Sequence, residues 1–186
     1  MNLPNKLTLL RVLLIPVFVV VLIFYKELGI ELDTAKYTAV AIFVIASCTD
    51  AVDGYIARKY NMITNFGKFM DPLADKLLVT SALISMIGLP ANVIMPSWAV
   101  VIVIAREFII TGFRLVAAEK KIVIAAGFWG KIKTVTQMVM ITVVLLDFDG
   151  SFFYLTGTVL IWLSVIFTII SAVDYIIKNL DVFKDD

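Results

Sequence analysis

The chain has 186 residues, 61% of them hydrophobic and 17% charged, with a formal net charge of +1 and a mean hydropathy of +1.00. A soluble domain averages about 45–50% apolar and about 25% charged residues, so the apolar excess must face lipid, and no nucleic-acid partner is implied. One cysteine, Cys48, and no histidine exclude an internal disulfide and a thiolate or imidazole zinc site. Carboxylate, lysine or tyrosine is left for general-base work, and hard oxygen ligands for any metal, which favours magnesium, manganese or calcium.

The length fits one domain, 1–186, and a spanning helix needs about 20 mostly apolar residues. The first apolar segment, Leu7–Tyr25, follows Lys6 and contains Arg11. With no small-x-small cleavage site after Tyr25 it reads as a retained helix rather than a secretory signal, and Arg11 is expected to snorkel to the interface. Gly29 and Asp33 precede the second segment, Tyr37–Ala57, and Asn61 to Gly67 separate it from the third, Asp71–Leu89. Pro90 to Pro96 lead into the fourth, Trp98–Ala118; Gly127 and Gly130 into the fifth, Lys131–Leu146; Asp147 to Gly150 into the sixth, Phe152–Ile177. The expected fold is an all-α polytopic membrane protein with six transmembrane helices.

Six spans put both termini on one side. That side receives twelve cations: Lys6, Arg11, Arg58, Lys59, Lys68, Arg114, Lys120, Lys121, Lys131, Lys133, Lys178 and Lys184. The other side keeps Lys26 and Lys36. The positive-inside bias predicts cytoplasmic N- and C-termini and a cytoplasmic loop near Asn61.

The second and third segments carry four acids, Asp50, Asp53, Asp71 and Asp75. A short loop makes the two helices antiparallel neighbours. Asp50 lies eight residues before Arg58 and Asp75 eight after Gly67, which sets both about 12 Å into their helices. Asp50, Asp53, Gly54 and Ala57 share one helical stripe, and Gly67, Asp71 and Asp75 another. Four facing carboxylates cannot all stay ionised in a low dielectric without cations, and Lys76 and Arg58 offset only two of the charges. One or two divalent ions would complete the balance. Gly54 and Ala57 leave a bare helix face, which suits helix packing or a flat ligand, and Arg58 one turn on can reach phosphate oxygens. Intramembrane acids also serve proton and ion pathways, so a cation or proton transporter is the rival class. The acids cluster near one face only, which favours a metal-bound phosphate-rich nucleotide.

The spacing Asp50-x2-Asp53-Gly54-x2-Ala57-Arg58-x8-Gly67-x3-Asp71-x3-Asp75 resembles, at all eight positions, the signature of the CDP-alcohol phosphotransferases. The opening Pro4-Asn5-x2-Thr8-x2-Arg11 is similar to that of bacterial members. The resemblance implies transfer of a phosphatidyl or similar group from a CDP-linked donor to an alcohol, with release of CMP. It implies two divalent ions, magnesium or manganese, on Asp50, Asp53, Asp71 and Asp75, with Asp75 as base for the acceptor hydroxyl. It implies a nucleotide site of Asn5, Thr8, Gly54, Ala57, Arg58, Thr64 and Gly67. It also implies a homodimer in the cell membrane with the site facing the cytoplasm.

The acceptor is addressed by two later runs, REFIITGFRLVAAEKK and GKIKTVTQ. Arg106 lies inside a span and needs an anion; Glu107 adjoins it but points about 100° away around the helix, an imperfect partner. Arg106, Arg114, Lys131 and Lys133 are therefore candidates for an acceptor phosphate, whereas Lys120 and Lys121 fit ordinary positive-inside residues. The runs resemble those of family members that join CDP-diacylglycerol to glycerol 3-phosphate. An inositol phosphate or serine acceptor is the alternative within the family.

Overall fold

The computed structural model describes residues 2–60, 64–120, 122 and 127–180. Within these, the side chains of Leu3, Pro4, Ala51, Asp53, Tyr55, Ala57, Arg58, Asn65, Phe66, Lys68 and Phe69 lie outside the description. The described residues form six α-helices and no strand: α1 (Leu3–Ile23), α2 (Leu32–Lys59), α3 (Asn65–Ser85), α4 (Ser97–Glu119), α5 (Phe128–Leu146) and α6 (Ser151–Lys178). The all-α expectation and its six apolar segments are met, with the largest shifts at two starts. α2 begins five residues and α3 six residues before the expected points.

Local chemistry explains the boundaries. The Asn2 side chain caps α1 by accepting from the Asn5 amide at 3.3 Å, and a proline stands in the first turn, where its missing N–H costs nothing. Thr64 caps α3 by accepting from the Gly67 amide at 3.0 Å. This cap lets a polar stretch start the helix well before its apolar run. α5 ends on Asp147, whose φ of 45° is left-handed, and Gly150 at φ 119° turns the chain into α6.

α3 is the central element, packed against α1, α2, α4 and α5; α1 lies along α2, and α6 along α4 and α5. One apolar core runs through all six helices, with Phe18, Leu22, Phe43, Leu83, Val103, Met140, Ile141 and Ile161 among its buried members. The outside is also apolar: Phe108, Leu115, Phe152, Leu155 and Trp162 are all more than half exposed, the pattern of a surface that meets lipid. Among the described residues four helices, α1, α2, α5 and α6, are long and apolar enough to cross a membrane. α3 and α4 carry charges such as Asp71, Asp75, Lys76, Arg106 and Glu107, which turn toward the interior of the bundle.

Candidate active site

α2 carries Asp50 and α3 carries Asp71 and Asp75, and α1 supplies polar partners to Asp50 and Asp71. α2 runs nine residues beyond Asp50, and α3 begins ten residues before Asp75, so both acids lie about 14–15 Å from the helix ends. Arg11 is fully buried, and its Nη1 donates to Asp50 Oδ1 at 2.5 Å. This corrects the snorkelling expectation. α1 packs on α2 and α3, so position 11 faces inward, where a guanidinium requires an anion. Arg11 therefore offsets the charge of Asp50, and with the buried Lys36 and Lys133 it leaves the positive-inside tally.

Thr8 Oγ1 donates to Asp71 Oδ1 at 2.7 Å. Thr64 Oγ1, besides capping α3, donates to Asn5 Oδ1 at 2.8 Å. A methyl group placed on Gly67 would stand 3.4 Å from Thr64 Oγ1 and 3.5 Å from both Asn5 Oδ1 and Asp71 Oδ2. The glycine thus opens a small gap walled by three oxygens, and it unites Asn5, Thr8, Thr64, Gly67 and Asp71 at one place. Gly54 lies on α2 one turn after Asp50. The expected roles of Asp53, Ala57 and Arg58 fall on side chains outside the description. Among the described residues no three acids stand close enough to hold an ion unaided. The donor chemistry nevertheless fits a hard divalent ion: Asp50 and Asp71 are each pinned through one oxygen, and Asp71 Oδ2 borders the Gly67 gap.

Next to this cluster lies a cavity of about 410 Å³ between α3, α4, α5 and α6. All four candidate phosphate ligands, Arg106, Arg114, Lys131 and Lys133, line it together with Asp75. Its wall holds five cations, counting Lys76, against the acids Asp75, Glu107 and Asp174, a net charge of two positive. Arg106 Nη1 donates to Glu107 Oε1 at 2.9 Å, and Nη2 to Ser171 Oγ at 2.6 Å. Lys133 Nζ donates to the same Glu107 oxygen. The expectation that Glu107 is an imperfect partner is thus corrected. Both side chains are long enough to bend into the cavity from adjacent positions, and Lys133 across from them draws the carboxylate in.

Arg114 Nε donates to the Tyr175 hydroxyl at 3.2 Å, with its guanidinium 5.4 Å from the ring centre. Lys76 donates to the Thr111 hydroxyl, which itself donates to the Glu107 carbonyl at 2.6 Å. Sequence reasoning missed Glu107 as an anchor, and missed Ser171, Asp174 and Tyr175. The signal was present in the last three: they form a polar stripe at i, i+3 and i+4 on an otherwise apolar helix. α5 approaches this stripe closely, since a methyl on Gly127 would lie 3.6 Å from Asp174 Oδ2.

A helical bundle with an apolar outer surface thus places an oxygen-walled glycine gap beside Asp71 and a basic cavity beside Asp75, the features of a membrane protein with a polar interior site. The chain belongs to the CDP-alcohol phosphatidyltransferase family, whose model matches residues 1–170. It is 44% identical to the CDP-diacylglycerol–glycerol-3-phosphate 3-phosphatidyltransferase of Bacillus subtilis (strain 168), over 98% of this chain and 97% of that protein. The protein of the same description from Rickettsia typhi is 37% identical over 94% of each chain. A probable phosphatidylglycerophosphate synthase of Mycobacterium tuberculosis is 41% identical over 96% of this chain and 82% of that protein.

Proposed function

We propose that the protein transfers the phosphatidyl group of CDP-diacylglycerol to glycerol 3-phosphate, giving phosphatidylglycerophosphate and CMP. The names of its relatives support this reading. The observation that carries it is the position of Asp75, which shares a helix face with Asp71 and also lines the basic cavity. One carboxylate thus reaches both the acidic cluster and the place where a phosphorylated alcohol would lie.

The donor's nucleotide end rests against Asn5, Thr8, Gly54, Ala57, Arg58, Thr64 and Gly67. Arg106, Arg114, Lys131 and Lys133 take the acceptor's phosphate, whose dianion matches the two net positive charges of the cavity. The acceptor's free hydroxyl oxygen attacks the β-phosphorus, its proton passes to the Asp75 carboxylate, and the bond from that phosphorus to the CMP oxygen breaks. Asp50, Asp53, Asp71 and Asp75 would hold two divalent ions, magnesium or manganese, which would supply neutralisation of the charge on the pyrophosphate and on the leaving CMP. Arg11 and Thr8 orient Asp50 and Asp71 for that task. Residues 1–186 act as one catalytic unit of six spans, with termini and site on the cytoplasmic side of the cell membrane, as a homodimer.

The test is CMP release from CDP-diacylglycerol in detergent with magnesium, comparing glycerol 3-phosphate, serine, inositol and inositol phosphate. Glycerol 3-phosphate should be preferred; a larger rate with another acceptor replaces the substrate, and no release with any, together with ion flux in liposomes, replaces the class. Asp75→Asn should abolish nearly all turnover while the protein remains folded and binds nucleotide. Arg106→Ala should raise the KM for glycerol 3-phosphate far more than that for CDP-diacylglycerol; equal effects on both would remove the acceptor assignment.

A further inference from the structure

We propose that Glu107 is a positioning residue for the acceptor, one carboxylate oxygen holding Arg106 and Lys133 so that both cations present their remaining donors to an incoming phosphate. The inference rests on the reading that the cavity takes glycerol 3-phosphate.

Glu107 Oε1 accepts from Arg106 Nη1 and from Lys133 Nζ, so a single atom joins a cation of α4 to a cation of α5. The side chains of Arg106, Lys133 and Glu107 are only 12%, 6% and 19% exposed. Two positive charges and one negative charge have left water together. Without the acid, the two cations would repel one another in a medium that screens poorly, and each would leave its place.

The donor count favours positioning over consumption of the cations by the ion pair. Lys133 has three donors, of which one is spent on Glu107. Arg106 is held on both edges of its fork, by Glu107 and by Ser171, while its Nε is buried without a partner among the described residues. The guanidinium is therefore fixed before any ligand arrives, which lowers the entropy lost on binding. Glu107 also keeps company with Asp75: together with Lys133 they line the main cavity and a smaller one behind it. A disordered Arg106–Glu107–Lys133 set would weaken the hold on the acceptor's phosphate.

Glu107→Gln keeps the shape and removes the charge. The KM for glycerol 3-phosphate should rise about tenfold or more, the worth of one or two charge-assisted hydrogen bonds. The KM for CDP-diacylglycerol and kcat at saturating acceptor should stay within about twofold of the parent. Glu107→Asp, with the charge retained and less reach, should recover part of the loss. Unchanged acceptor KM in Glu107→Gln overturns the proposal. So do equal losses in both KM values and kcat with no recovery in Glu107→Asp, which mark a purely structural role. If Glu107→Gln does not fold, Glu107→Asp decides alone: a selective rise in acceptor KM supports positioning, and no rise overturns it. Absence of CMP release by the parent protein with glycerol 3-phosphate is a separate result that removes the acceptor reading itself.

Discussion

Gly67 occupies the first turn of α3, where a methyl group would meet three oxygens at 3.4–3.5 Å. Those are ordinary contact distances, and alanine is better than glycine inside a helix by about 0.5–1 kcal/mol. Gly67→Ala should therefore keep or raise the melting temperature. The same methyl would fill the gap beside Asp71 Oδ2, so CMP release should fall about tenfold or more, the scale of a misplaced reacting group. Both are read on one purified sample; a drop in melting temperature with turnover intact contradicts the account. The glycine and the acids were legible because their chemistry is foreign to lipid. Their partners were not. Arg11 and Asp50 are 39 residues apart and Lys133 and Glu107 are 26 apart, and nothing in a linear pattern says which buried charge meets which. Arg11 read as an interfacial residue because its neighbours are apolar; the packing of α1 on α2 and α3 decides otherwise.

The six helices followed from apolar run length and breakers, yet the start of α3 did not. Residues before Asp71 are too polar to resemble a span, and the helix begins there because Thr64 caps it. That cap does two jobs, since the same hydroxyl donates to Asn5 at 2.8 Å and so ties the beginnings of α1 and α3 together. Thr64→Ala should cost about 1 kcal/mol of stability, seen as a lower melting temperature. It should also raise the KM for CDP-diacylglycerol, because Asn5 loses its anchor. Thr64→Ser, which keeps the oxygen, should restore both; failure of serine to restore the KM would uncouple the cap from the nucleotide site. The charges of α3 and α4 have a related explanation. Among the described residues these are the two helices that do not meet the composition of a span, and Asp75, Lys76, Arg106, Glu107 and Arg114 on them line the cavity. The amount of apolar surface a span needs falls when its neighbours cover its polar face.

The two ends of the bundle are built differently. At the end opposite the acids, Lys36 near the start of α2 pairs with Asp147 at the end of α5 at 2.5 Å, with side chains only 4% and 7% exposed. Asp147 also accepts from the Asn92 amide at 2.7 Å, so the α3–α4 and α5–α6 connections and the start of α2 close on one carboxylate. Asp147 is left-handed, a conformation that aspartate and asparagine tolerate better than most residues. This closed end lies fourteen residues of α2 from Asp50, about 21 Å along the helix. It ties the start of α2 to the end of α5 at the end of the bundle away from the cavity. Breaking the pair from either side strands a buried charge and should cost about 3 kcal/mol or more. Lys36→Met and Asp147→Asn should each lower the melting temperature in detergent sharply, and the double variant should be more stable than either single one, because it leaves no charge behind. The KM values for CDP-diacylglycerol and glycerol 3-phosphate in the double variant should match those of the parent. A selective change in either KM would mean that the two ends are coupled through α2 and α5 and that the pair is part of the site's control. Additive losses in stability would mean that Lys36 and Asp147 act on the bundle independently, and that the closed end owes its strength to the apolar packing beneath it.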